Sequence, residues 1–135
     1  MMMFDHGMPP GRNQSPKADI NIEYQARSRM ASQSAQLAAA LQTANRLHAD
    51  RYRATIGNNM AGTDSIRFED LVASVSVREN ERVTGIVAGS NPNHHEPTDR
   101  YDTYAEEDFR FGFNSAQTTL GGLAQLAGLT LVRPR

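Results

Sequence analysis

The sequence predicts a mainly α-helical chain with an extended N-terminal arm, one long helix, a second helix or hairpin, an acidic loop and a C-terminal helix. Small and apolar residues recur at helical spacing in the first half of the chain, and residues 111–132 carry no charge. Leu, Ile, Val and Phe together number only 25 of 135 residues. A self-contained domain of this length usually holds more of them, so we expect other chains to complete the core.

The composition argues against several classes of protein. The chain has no cysteine, which excludes a disulfide-stapled domain and a cysteine-based zinc site. Thirteen of the 14 basic residues are arginine, but the net charge is −1 and no dense basic patch occurs between Arg12 and Arg135. Specific nucleic-acid recognition is therefore not expected, because it needs concentrated positive charge. Ion pairing between subunits is the preferred interpretation of the arginines.

Residues 1–18 are predicted to be an extended arm, followed by a single elongated helical assembly domain over residues 19–135. Three prolines and two glycines exclude a helix or a central strand in the arm. A secretory signal is not expected, because the arm lacks a basic start, an apolar run and a cleavage site. The apolar side chains expected to dock this arm on a neighbouring chain are those of Met3, Phe4 and Met8.

Residues 19–56 predict one long helix. Asp19 suits the N-cap position, Gly57 suits the C-terminal stop, and no Gly or Pro lies between them. Such a helix must lie against another surface, since propensity alone does not stabilise it. The stripe with 4-3-4-3-4 spacing that would face this surface consists of Met30, Ser34, Leu37, Leu41, Ala44 and His48.

The middle of this helix, Met30 to Asn45, carries no charge, although a solvated helix face normally would. Its small side chains would let neighbouring helices approach closely, so packing between copies is expected. A helix that is merely rich in alanine is the alternative. With the C-terminal segment included, the predicted oligomer interface consists of Met30, Ala31, Ala35, Leu37, Ala39, Leu41, Ala44, Leu120, Leu123 and Ala127.

Residues 57–64 predict a turn, after which Asp64 or Ser65 could cap a second helix. Glu69 and Asp70 in its first turn favour the helix. A hairpin is the alternative, because apolar residues alternate from Leu71 to Val77. The face of the predicted helix consists of Phe68, Leu71, Val72, Val75, Val83, Ile86 and Val87.

Residues 89–108 predict a polar loop, and within it residues 91–108 carry a charge of −5. Residues 1–60 carry +3, so the two regions could attract each other between subunits; a solvated loop is the alternative. Residues 111–132 are long enough to cross a bilayer but contain four glycines and seven polar residues. An oligomer interface, a membrane-entering segment and ordinary core are the three interpretations of this segment.

The candidate chemical groups lie in the acidic loop. His94-His95-Glu96 lacks a third spaced histidine for a metal, and a solvated loop is favoured. No phosphate-binding loop, dinucleotide-binding motif or nucleophile elbow is present. We therefore expect no enzyme activity, no cofactor and no metal, with a small enzyme as the alternative. In that alternative, the carboxylates of a catalytic or cation site would be Asp99, Asp102, Glu106 and Glu107, although they lack the spacing of a calcium-binding loop.

One pattern, over residues 25–90, resembles a known family. An Ala/Gln/Arg-rich segment from Gln25 to Ile56 runs through Asn58-Asn59-Met60-Ala61-Gly62-Thr63-Asp64-Ser65 into the amphipathic Phe68-Glu69-Asp70-Leu71-Val72. This resembles the internal virion, or DNA-ejection, proteins of short-tailed bacteriophages, which join such a helix through a Gly-Ser/Thr turn to a second helix.

The resemblance implies a non-enzymatic structural virion protein that assembles as an oligomer and forms part of a conduit for the genome. The implied partners are copies of itself and other virion proteins, with possible contact to the host membrane. The implied location is the virion and, after release, the host cell envelope. A small adaptor or binding module, at a head–tail joint or in another complex, is the alternative function.

Overall fold

The computed structural model describes residues 2–5, 19–49, 51–61, 64–80 and 96–129. In this part of the chain, four strands form one mixed sheet: β1 (Met2–Asp5), β2 (Asp19–Glu23), β3 (Ala54–Gly57) and β4 (Val75–Asn80). Two α-helices accompany the sheet: α1 (Ala31–His48) and α2 (Glu106–Leu126). The fold is therefore an α/β mixture, and the prediction of a mainly α chain is wrong.

The sheet has the strand order β1-β4-β2-β3. Strands β2 and β3 are parallel neighbours joined through α1, which makes them a βαβ unit. Strand β4 runs antiparallel to β2, with Ile22 opposite Val77. Strand β1 lies at the edge, parallel to β4, with Met3 opposite Ser76.

Helix α1 covers one face of the sheet and forms the core with it. The buried cluster consists of Ile20, Ile22, Ala38, Leu41, Ala54, Val75, Val77 and Phe111. The opposite face of the sheet is polar but also buried, with Asn21 and Glu23 on β2 and Ser76 on β4. Arg78 forms an ion pair with Glu23 on that face. Side chains on both faces of β2 and β4 are therefore buried in the folded chain.

Residues 19–56 were predicted to form one helix, but only the central part, α1, is helical. Residues 19–23 read Asp-Ile-Asn-Ile-Glu, and this period of two sends both isoleucines to the α1 side of the sheet. Asp19 therefore begins a strand and does not cap a helix. Met30 occupies the cap position of α1 without a side-chain hydrogen bond. Gly57 is the last residue of β3, not the C-terminal stop of a helix.

The second predicted helix is also wrong in its described part. Asp64–Arg67 makes one 3-10 turn, and the alternating segment that follows becomes β4. This segment is a strand because Val75 and Val77 both face α1. Residues that lie two apart on a helix would point to nearly opposite sides, whereas on a strand they share a face. Phe68, Leu71 and Val72 are exposed in the intervening turns. The remaining residues of the predicted face, Val83, Ile86 and Val87, lie outside the described residues.

The predicted arm and acidic loop are described in part. Met3 and Phe4 lie in β1, so this piece of the arm pairs with the chain's own β4, while Met8 lies outside the described residues. His94 and His95 also lie outside them. The acidic loop was predicted to reach residue 108, but α2 begins at Glu106, after a 3-10 turn at Tyr101–Thr103.

Candidate self-association surface

Helix α2 packs on α1 through small and polar side chains. The residues that α2 buries, named here the inner face, are Phe111, Asn114, Ser115, Thr118, Thr119, Gly121 and Gly122. Gly121 lies against the His48 side chain, and Gly122 lies against Leu41 and Ala44. Only Phe111 of the inner face is a large apolar residue, and its ring meets that of Tyr52 edge-on at 5.0 Å.

Asn45, which is completely buried, holds α1, α2 and the start of β3 together. Its amide nitrogen donates to the Tyr52 carbonyl and to Thr118 Oγ1, both at 2.9 Å. Its amide oxygen accepts from the Ala54 backbone N–H at 2.9 Å. Asn114 of α2 accepts from the backbone N–H groups of two consecutive residues, Arg51 and Tyr52, at 3.0 Å each. Three of the four polar side chains of the inner face, Asn114, Thr118 and Thr119, are therefore hydrogen-bonded, as burial of polar groups favours, whereas Ser115 Oγ is buried without a hydrogen bond among the described residues.

The opposite side of α2 is apolar and exposed. Six residues recur there at 4-3-4-3-4 spacing, and we name them the apolar stripe: Phe109, Phe113, Ala116, Leu120, Leu123 and Ala127. Phe113 is 61% exposed and Leu120 is 69% exposed. Leu126 and Leu129, at and just beyond the C-terminal end of α2, are exposed as well. Apart from Phe111, the helix thus directs polar and small residues inward and its large apolar residues outward, the reverse of an ordinary surface helix.

An aromatic cluster forms the N-terminal end of the apolar stripe. The ring of Phe109 stacks on Tyr101, with centroids 4.9 Å apart, and meets Tyr104 edge-on at 6.2 Å. Tyr104 in turn donates a hydrogen bond to Asp99 at 2.5 Å. These contacts hold the 3-10 turn against the start of α2, so the exposed apolar surface continues beyond the helix.

An ion pair stabilises the first turns of α2. Arg110 lies one helical turn after Glu106 and donates a hydrogen bond to its Oε1 atom at 2.5 Å. This hydrogen bond and the charge of Arg110, aided by the charge of Arg51, hold the pKa of Glu106 below its ordinary value of 4.5 despite slight desolvation. The carboxylate also lies at the helix N-terminus, where negative charge is favourable.

We expect acid to fray the start of α2. The pKa of Glu106 is lower in the folded chain than in the unfolded one, so its stabilising contribution is present above the unfolded value and is lost as the pH falls through the folded value. Replacing Arg110 with Gln should raise the pKa of Glu106, measured by NMR titration of its carboxyl carbon. Arg100→Gln is the control, because Arg100 donates to the Pro97 carbonyl instead. An unchanged titration in Arg110→Gln would contradict this assignment.

The predicted interface residues divide between two environments. Leu41 and Ala44 are buried inside the chain, and Leu37 packs against the core. Met30, Ala31 and Ala35 are half-buried, and Ala39 is exposed. Leu120, Leu123 and Ala127 are all exposed and belong to the apolar stripe. The sequence interpretation missed Phe109, Phe113 and Ala116, although the same spacing continues through them.

In the described ranges, no three His, Asp or Glu residues are grouped so that they could hold a metal ion. Among those same residues, no helix is both long and apolar enough to span a membrane. On the polar sheet face, Glu23 is buried, and Gly57 lies so near that a Cβ atom at that position would overlap the Glu23 side chain.

Comparisons of the chain with models of protein families, with curated proteins and with solved structures find no match. The function therefore has to be inferred from the two faces of α2.

Proposed function

We propose that the chain is a non-enzymatic structural subunit that assembles with copies of itself through the apolar stripe of α2. The observation that carries this proposal is the reversed orientation of α2. Burial of large apolar side chains is the main favourable term in folding and association, yet this helix buries Asn, Ser and Thr and leaves Phe113 and Leu120 outside. A second apolar surface would stabilise this arrangement by covering the stripe.

The extent of the stripe also favours assembly. Single exposed apolar residues are normal on protein surfaces, whereas contiguous patches above a few hundred Å² mark interaction sites. From their exposed fractions, the four large residues of the apolar stripe, Phe109, Phe113, Leu120 and Leu123, expose roughly 440 Å² per chain, taking about 200 Å² for each fully exposed side chain. Two copies would bury about 900 Å² from these side chains alone, the size of a small protein–protein interface.

The setting that we propose for this assembly is a virion, with a genome conduit as its sharper form. The support is the Ala/Gln-rich α1, which keeps the first part of the resemblance to internal virion proteins. Residues 62 and 63 of the turn pattern lie outside the described residues, and turns followed by β4 stand where the pattern expects a second helix. The assembly proposal does not depend on this setting, because it rests on α2 alone.

A charge placed in the middle of the apolar stripe should break the assembly. For Leu120→Glu, we expect light scattering after size-exclusion chromatography to report a monomer, while the parent chain is a dimer or larger. The reason is that a buried carboxylate without a partner is strongly unfavourable. Gln36→Glu is the matched control, because it adds the same charge to an exposed position of α1. A parent chain that is monomeric at high micromolar concentration would overturn the proposal.

The conduit form has a separate test. The parent oligomer is mixed with vesicles of phosphatidylethanolamine and phosphatidylglycerol, and co-sedimentation and dye release are measured. Binding that Leu120→Glu weakens would support membrane contact through the apolar stripe. An oligomer that neither sediments with the vesicles nor releases dye would remove the conduit and leave the assembly proposal standing.

A further inference from the structure

We infer that the partner of the apolar stripe is a second copy of α2 that runs antiparallel to the first. The inference rests on the proposed self-association and adds the direction and register of the partner. The opposed pairs would be Phe109 with Ala127, Phe113 with Leu123, and Ala116 with Leu120, each occurring twice about a twofold axis.

The spacing of the stripe is the first argument. The intervals 4-3-4-3-4 are the same when read from either end. When two such stripes are aligned antiparallel over their full length, each of the six positions therefore faces a stripe position of the partner. The mean interval is close to the 3.5 residues at which two helices keep an apolar seam in contact.

The sizes of the side chains are the second argument, because they distinguish the two directions. A parallel pair in register would place Phe113 against Phe113 and Ala116 against Ala116, which crowds one layer and leaves a gap in the next. The antiparallel pair places Ala116 against Leu120 and a phenylalanine against Leu123 or Ala127. Each layer then combines a larger with a smaller side chain, which suits the uniform density of packed interfaces.

The helix dipoles are the third argument. A helix carries a partial positive charge at its N-terminus and a partial negative charge at its C-terminus. An antiparallel pair of α2 helices places opposite partial charges side by side at both ends, whereas a parallel pair would place like partial charges together.

Cysteine cross-linking tests the direction, because the chain has no native cysteine. Two single variants, Phe113→Cys and Leu123→Cys, are oxidised separately and as an equimolar mixture, and non-reducing electrophoresis reports the products. In the antiparallel register, a Phe113→Cys chain faces a Leu123→Cys chain. Two copies of the same variant hold their cysteines about 15 Å apart along the axis, far beyond the roughly 4.4–6.8 Å between Cα atoms in a disulfide. Light scattering under reducing conditions verifies that each variant still assembles.

We expect a cross-linked dimer in the mixture, at least ten times more abundant than in either single variant. Rapid cross-linking of each variant with itself would show a parallel pair and overturn this inference, while self-association through the stripe would stand. A dimeric parent chain without any cross-link would overturn it as well, since the interface would lie elsewhere. A monomeric parent chain would overturn both the inference and the proposed function.

Discussion

Replacing Asn45 with alanine is expected to lower the free energy of unfolding by about 2–4 kcal/mol. The variant removes three hydrogen bonds at a completely buried position. It leaves the Ala54 N–H and the Tyr52 carbonyl without their side-chain partner, and each group carries a desolvation cost when it stays buried. It also opens a small cavity between α1 and α2. Chemical denaturation followed by circular dichroism measures the change.

Two further variants show whether the loss comes from the hydrogen bonds. Thr118→Val keeps the shape of the side chain but removes one of the three partners of Asn45, so about 1 kcal/mol should be lost. Gln33→Ala changes an exposed position of α1 and should have almost no effect. All three are best measured in the Leu120→Glu background, because self-association makes stability depend on concentration. A loss below 1 kcal/mol for Asn45→Ala would contradict a structural role for this side chain.

The sequence allowed the centre of each helix to be predicted, but not the helix ends. Residues 31–48 keep a helical period and have no competing alternation, so α1 lies inside the predicted helix. At residues 19–23, alternation of Ile with polar residues competes with the helical period, and the sheet decides between them. A strand of five residues is stabilised by its neighbours, which a local pattern does not contain. For the same reason, the sequence favoured a helix over the hairpin alternative in the segment where β4 forms.

The candidate site shows a similar division. The absence of charge over residues 111–132 led to the prediction of an interface there, and the structure shows that Leu120 and Leu123 of this segment are exposed on α2. The inner face could not be predicted, because Asn45 and Thr118 lie 73 residues apart and nothing local marks them as partners. The reversed orientation of α2 follows from that contact. The sequence shows which residues share a helix face, and tertiary packing determines which face turns inward.

Alanine at two glycines of α2 is expected to change stability in opposite directions. Glycine within a helix costs roughly 0.5–1 kcal/mol relative to alanine, so Gly112→Ala should stabilise the chain by about that amount. A Cβ atom at Gly112 would meet nothing within 4 Å. At Gly122, the same atom would overlap Leu41 Cδ2 and lie 3.6 Å from Ala44 Cβ. Leu41 is completely buried in the core, so a shift of its side chain would disturb other core residues.

Gly122→Ala should therefore lower the free energy of unfolding by about 1–3 kcal/mol, because overpacking outweighs the gain in helix propensity. Thermal and denaturant unfolding of both variants in the Leu120→Glu background measures the difference. A double variant with Leu41→Val identifies the clash, since shortening residue 41 should recover part of the loss and make the two changes non-additive. If Gly122→Ala were as stabilising as Gly112→Ala, the close approach of α2 to α1 would be refuted, and with it the reason that the apolar stripe faces outward.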